Sequence, residues 1–87
     1  MFYYTHILRS KHDGYFYIGF TSNLQQRFAA HNEGAVEATR TRRPFELVYY
    51  EAHRNKKDAM AREAFLKTSW GRNYIRRVLG NYLRERR

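Results

Sequence analysis

Two short runs rich in aromatic and β-branched residues, FYYTHIL at 2–8 and YFYIG at 15–19, flank the segment SKHDG. No other feature restricts the fold as much. Such side chains favour extended backbone, and Asp13-Gly14 is a turn signal because hairpin turns need residues that tolerate positive φ. The spacing predicts an antiparallel hairpin. With a four-residue loop at Ser10 to Asp13, His6 lies opposite Tyr17. Alternation then puts Tyr4, His6, Tyr15 and Tyr17 on one face, and Ile7, Phe16 and Ile18 on the other. A loop one residue longer or shorter would break this pairing.

Beyond the hairpin, SNLQQRFAAHNEG has Ser22 as an N-cap with Gln25 three residues on, and Gly34 as a stop, which predicts a helix over 22–32. On it Leu24 and Phe28 pack inward, while Arg27 and His31, four apart, stack on an adjoining stripe. Residues 35–43, AVEATRTRR, have no clear period and read as a basic loop ending at Pro44. In FELVYYEAH apolar residues occupy both alternating sets, so a third strand more buried than the first two is expected.

Two helices should follow. NKKDAMAREAFLKTS is capped by Asn55, and GRNYIRRVLGNYLRE places Ile75, Val78, Leu79 and Tyr82 on one stripe, with Gly80 as a weak point. The predicted order is β-β-α-β-α-α in a single α+β domain over residues 1–87, a small three-stranded antiparallel sheet flanked by helices. Residues 83–87 read as a frayed basic tail.

A chain of 87 residues buries about 60–65% of its unfolded surface. The 17% aromatic content supplies the large apolar areas that so small a core needs. There is no cysteine, which removes disulfides and thiolate metal sites and favours the cytoplasm. No stretch approaches the ~18 apolar residues of a membrane span. Lys and Arg number 17 against 8 Asp and Glu, a net charge of +9, and this field makes nucleic acid the leading partner class.

Within AMAREAFLK, Ala59, Met60, Ala64 and Leu66 form an inward stripe with Glu63 in its middle and Phe65 turned toward the last helix. A carboxylate there must be neutralised, paired with a cation or bound to a metal. The four histidines lack zinc-site spacing. One acid with water and phosphate oxygens is instead the ligand style of Mg²⁺. No phosphate-binding glycine loop or serine-hydrolase motif is present, so a nucleotide cofactor has no support.

Together these residues resemble the GIY-YIG nuclease domain, in its small, single-domain bacterial branch. Tyr17-Ile18-Gly19 matches YIG, Arg27 follows on the next helix, and Glu63 lies on a later one. RPFELVYYE and SWGRNYIRRVL add to the likeness, which spans nearly the whole chain. The resemblance implies divalent-metal-dependent hydrolysis of phosphodiester bonds in DNA by a single Mg²⁺ or Mn²⁺ ion, as in repair or recombination nucleases. It implies Glu63 as metal ligand, Arg27 as stabiliser of phosphate charge, Tyr17 as a group that positions water or phosphate, and His31 as an aid to proton transfer or a phosphate contact. Ile18 and Gly19 are structural members of the motif, and Asn73 is either a helix-start residue or the asparagine that often follows the glutamate.

One position departs from the pattern. YTH at 4–6 falls on GIY, so His6 stands where the family has its water-activating tyrosine. An imidazole of ordinary pKa could do that work near neutrality; equally, its presence could mark lost activity, with Tyr4 a distant substitute. An endonuclease is therefore the first reading, and a catalytically impaired nucleic-acid-binding module the alternative. An RNA- or ribosome-associated protein is a third. Arg40, Arg42, Arg43, Arg72, Arg76 and Arg77 are the expected phosphate contacts. A partner subunit or homodimer is one way for so small a domain to grip its target.

Overall fold

In the computed structural model, which describes residues 1–85, the first ten residues supply the centre of the sheet. Strand β1 (Tyr3–Ser10) lies between β2 (Phe16–Thr21) and β3 (Phe45–His53), antiparallel to both. Helix α1 (Leu24–Glu33) and a 3-10 helix (Glu37–Arg42) connect β2 to β3, and α2 (Lys56–Leu66), α3 (Ser69–Val78) and α4 (Gly80–Glu85) follow. The three-stranded antiparallel α+β architecture matches the expectation. The 3-10 helix replaces the expected basic loop, and the last helix is divided at Leu79.

The hairpin closes one residue later than expected. Lys11 to Gly14 form the loop, with Gly14 at φ 77° and the Ser10 amide donating to the Tyr15 carbonyl at 3.0 Å. His6 is consequently opposite Gly19, and Tyr17 is opposite Leu8. This two-residue shift corrects the pairing but preserves the faces, because side chains alternate with a period of two. Tyr4, His6 and Tyr17 still share one face, and Ile7, Phe16 and Ile18 the other.

Burial is greatest in β1 rather than β3, with Thr5, His6, Ile7 and Leu8 buried in succession. The reason is position: β1 is the central strand, and helices cover both its faces. Thr5 Oγ1 donates to the Ala59 carbonyl of α2 at 2.9 Å on one side, while the His6 ring meets His31 of α1 on the other. The two-sided apolar pattern of β3 has another cause. Between Ile7 and Leu8 the β1–β3 register shifts, since Tyr49 pairs with Ile7 and Leu47 with Leu8. The extra residue, Val48, forms a bulge, so Val48 and its neighbour Tyr49 both pack against the core of Ile7, Leu66, Ile75 and Leu79.

Helix ends follow local chemistry. Asn23, not Ser22, caps α1 by accepting from the Gln26 amide, and Gly34 closes it at φ 80°. Asn55 caps α2 as expected. Thr68 caps α3, so Asn73 is an interior helical residue, where its Oδ1 accepts from Arg76 at 2.8 Å. On α2 the inward stripe is Ala59, Glu63 and Leu66; Met60 and Ala64 face solvent, and Phe65 lies under the Arg62 guanidinium, which also covers the Tyr74 ring of α3. Val78 is also exposed, because the chain turns at Leu79. Residues 83–85 belong to α4, and Leu83 packs against the core, so the expected fraying does not begin there. The rest of that tail, 86–87, lies outside the described residues.

Candidate active site

Strands β1 and β2 and helix α1 bring a group of aromatic and imidazole rings together. His6 lies across Gly19: a Cβ added to that glycine would stand 2.8 Å from His6 Cε1 and 3.3 Å from Tyr17 Cε2. Against this pair α1 delivers His31, whose ring centroid is 4.9 Å from that of Tyr17 and 6.1 Å from that of His6. Phe45 of β3 closes the far side of His31 at 5.9 Å. Three residues far apart in sequence, Tyr17, His31 and His6, thus converge on the sheet face that α1 covers. Tyr4 shares the face but pairs edge-on with Tyr50, outside this group.

Both histidines are buried and held neutral. Burial, the neighbouring His31 and the charge of Arg27 push the His6 pKa down to about 4. Burial and Arg27 also lower that of His31. His6 is therefore a weaker base than an ordinary imidazole, which corrects the expectation that it titrates near neutrality. Neither of its ring nitrogens has a hydrogen-bond partner among the described residues. His31 Nδ1 lies 2.7 Å from Thr39 Oγ1, and its Nε2 has no partner among the described residues. Thr39, at 0% exposure, is a neighbour of these rings that the sequence did not reveal, since TRTRRP reads only as a basic stretch.

Glu63 lies across the sheet from these rings. Helix α2 packs on the opposite face, and the Glu63 carboxylate accepts from Lys67 Nζ at 3.3 Å. No hydrogen bond, ion pair or ring contact among the described residues joins Glu63 to Tyr17, Arg27, His6 or His31. A groove of about 620 Å³ runs along the free edge of β2. Tyr15 and Tyr17 line it from the sheet; Lys67, Arg72 and Arg76 line it from the helices. Of the arginines expected as phosphate contacts, Arg72 and Arg76 line this groove, whereas Arg77 does not. Tyr15, 74% exposed, and Lys67 join them.

The arginines of the 3-10 helix and its C-cap also make contacts within the protein. Arg42 holds Asp13 at 2.7 Å and donates to the Tyr15 carbonyl, locking the hairpin loop and drawing the Asp13 pKa down to about 2. Arg40 donates to the Gly34 carbonyl and Arg43 to the Arg40 carbonyl. A single half-buried carboxylate, with one oxygen on a lysine and no cluster of three metal-ligating side chains among the described residues, suits a hard cation that keeps most of its water. It does not suit zinc.

Comparison with known proteins shows the family and the fold. The sequence profile described as "GIY-YIG catalytic domain" matches residues 2–75. The UPF0213 protein CPE1444 of Clostridium perfringens is 45% identical over 65 residues, covering 74% of this chain and 69% of that relative. The UPF0213 protein SH2523 of Staphylococcus haemolyticus is 44% identical over 66 residues, covering 75% and 79%. The solution NMR structure of the UPF0213 protein BH0048 from Bacillus halodurans superposes with a TM-score of 0.56 at 32% identity, covering 90% of this chain and 85% of that one. These relatives' names specify no activity.

Proposed function

This chain belongs to the GIY-YIG catalytic domain family, whose nucleases are generally divalent-metal dependent, and we propose that it is an endonuclease hydrolysing phosphodiester bonds in DNA. The observation that carries this reading is the convergence of Tyr17, His31 and His6 over Gly19, under the charge of Arg27. A neutral histidine beside a phenol can receive a proton at the moment a nucleophile forms. Arg27, on the same helix one turn before His31, offsets negative charge growing on the phosphate oxygens. Tyr17 reaches both the rings and the basic groove, so it can hold water or phosphate between them.

Glu63 would hold the metal, a single Mg²⁺ or Mn²⁺, exchanging its contact with Lys67 for the ion. When bound, such an ion polarises the phosphate and stabilises the departing 3′ oxygen. Lys67, Arg72 and Arg76 then grip the backbone without reading sequence. A cysteine-free chain acting on DNA in the cytoplasm fits this reading. The test is cleavage of nicked, branched and supercoiled DNA, and of folded RNA, with Mg²⁺ or Mn²⁺. Metal-dependent cutting of DNA that disappears in Glu63→Ala is expected; no cutting, or cutting indifferent to Glu63, would overturn the assignment.

The burial and depressed basicity of His6 favour a second reading, a nucleic-acid-binding module with impaired turnover. His6→Tyr separates the two. A clear gain in cleavage would identify impairment, while a loss would identify His6 as part of the working site.

A further inference from the structure

We propose that Thr39 is a positioning residue whose buried hydroxyl accepts the His31 Nδ1 proton, leaving His31 Nε2 as a bare acceptor among Tyr17 and His6. This rests on the nuclease reading for its consequence but not for its geometry. Thr39 Oγ1 lies 2.7 Å from His31 Nδ1 and 3.4 Å from the Val36 carbonyl. A carbonyl can only accept, so the single hydroxyl hydrogen goes to Val36, three residues back, a common local bond for threonine. The Thr39 oxygen is then free to accept from Nδ1–H.

The opposite assignment is worse. If Thr39 donated to Nδ1, the His31 proton would sit on Nε2, which is buried and has no acceptor among the described residues. Orphaned buried donors are rarer than under-used acceptors. Burial and Arg27 keep His31 neutral, so one tautomer or the other must be present at neutral pH. The titratable or charged groups facing His31 are His6 from β1, Tyr17 from β2 and Arg27 within α1; Phe45 from β3 and Thr39 carry no charge.

In this assignment the 3-10 helix serves the reaction from outside it. As water oxygen bonds to phosphorus, the P–O3′ bond breaks and its electron pair leaves on O3′. The water proton passes through the Tyr17 hydroxyl to the buried His31 Nε2, and the 3′ oxygen takes a proton from solvent. Thr39 touches none of these atoms.

Imidazole ¹⁵N–¹H correlation spectra of the full chain test the tautomer without any cleavage assay. Protonated Nδ1 and unprotonated Nε2 at His31 are expected; a protonated Nε2 would overturn the proposal. Thr39→Val should then lower kcat by about 10- to 100-fold, the lower part of what a positioned base supplies, with KM changed less than about twofold and the base limb of the pH profile displaced. Thr39→Ser should restore most of the rate. A folded Thr39→Val protein with undiminished kcat would sink the positioning role. Should Thr39→Val fail to fold, the wild-type tautomer and the Thr39→Ser rate still decide it. A wild-type protein that cuts nothing refutes the nuclease reading, and the spectra alone then judge Thr39.

Discussion

Gly19 has no side chain because His6 occupies the space where one would go. The nearest His6 atoms, at 2.8 and 3.0 Å from a built Cβ, belong to a ring that is 1% exposed and has nowhere to retreat. Gly19→Ala should therefore destabilise the protein by about 1–3 kcal/mol, the usual range for overpacking, as read from urea unfolding. The loss should shrink when His6→Ala is added, because the two positions share one space. His6 also makes stability depend on pH. Its folded pKa of about 4 lies below the ordinary 6.5, so the folded state binds fewer protons than the unfolded one. Its contribution is complete above pH 6.5 and is lost as pH falls toward 4, by about 3 kcal/mol; His31 acts in the same direction. Asp13 and Glu51, whose pKa values are lowered from the carboxylate range, do not account for a fall in that window. Unfolding measured from pH 7 to 4.5 should show the decline, and His6→Gln should flatten it.

The crossing of α2 and α3 depends on the absence of one methyl group. A Cβ at Gly71 would lie 2.1 Å from the Phe65 carbonyl oxygen and 2.4 Å from Leu66 Cα, both backbone atoms. Alanine is the better helix former by about 1 kcal/mol, yet here the clash should dominate. Gly71→Ala is expected to lower stability by about 3 kcal/mol or more, seen as a large fall in Tm or loss of folded protein. Unchanged stability would mean the two helices can separate without penalty. At the same scale the legibility of the sequence varied with the kind of information involved. The cap at Asn55, the stop at Gly34 and the hairpin itself depend on neighbours within a few residues, and were readable. The choice of Asn23 over Ser22, the Val48 bulge and the break at Leu79 depend on how a helix or strand meets its partners, and were not.

Two groups of positive charge lie in different surroundings. Arg40, Arg42 and Arg43 bind the protein's own carbonyls and Asp13, whereas Lys67, Arg72 and Arg76 line the groove beside Tyr15 and Tyr17. Each phosphate contact removed should reduce the slope of log K against log salt by about 0.7–0.9. The double change Arg72→Ala with Arg76→Ala should then reduce it by about 1.4–1.8 in fluorescence anisotropy titrations. Arg42→Ala should leave the slope nearly unchanged while lowering stability, through the loosened hairpin loop. Equal slope changes for both sets would contradict the division.

The sequence by itself determined the class of fold and the motif residues that mark the family. Hairpin faces follow from a period of two, and Tyr17, Arg27, His31 and Glu63 stand at spacings legible within single elements. Tertiary structure decided how those groups are related. It made β1 the central strand, buried His6 against Gly19 and weakened it as a base, tied His31 to Thr39, and set Glu63 on the other side of the β2 edge. Periodicity reports which way a side chain points from its own element. Burial, pKa and hydrogen-bond partner arise between elements, and they exist only once the strands and helices have packed.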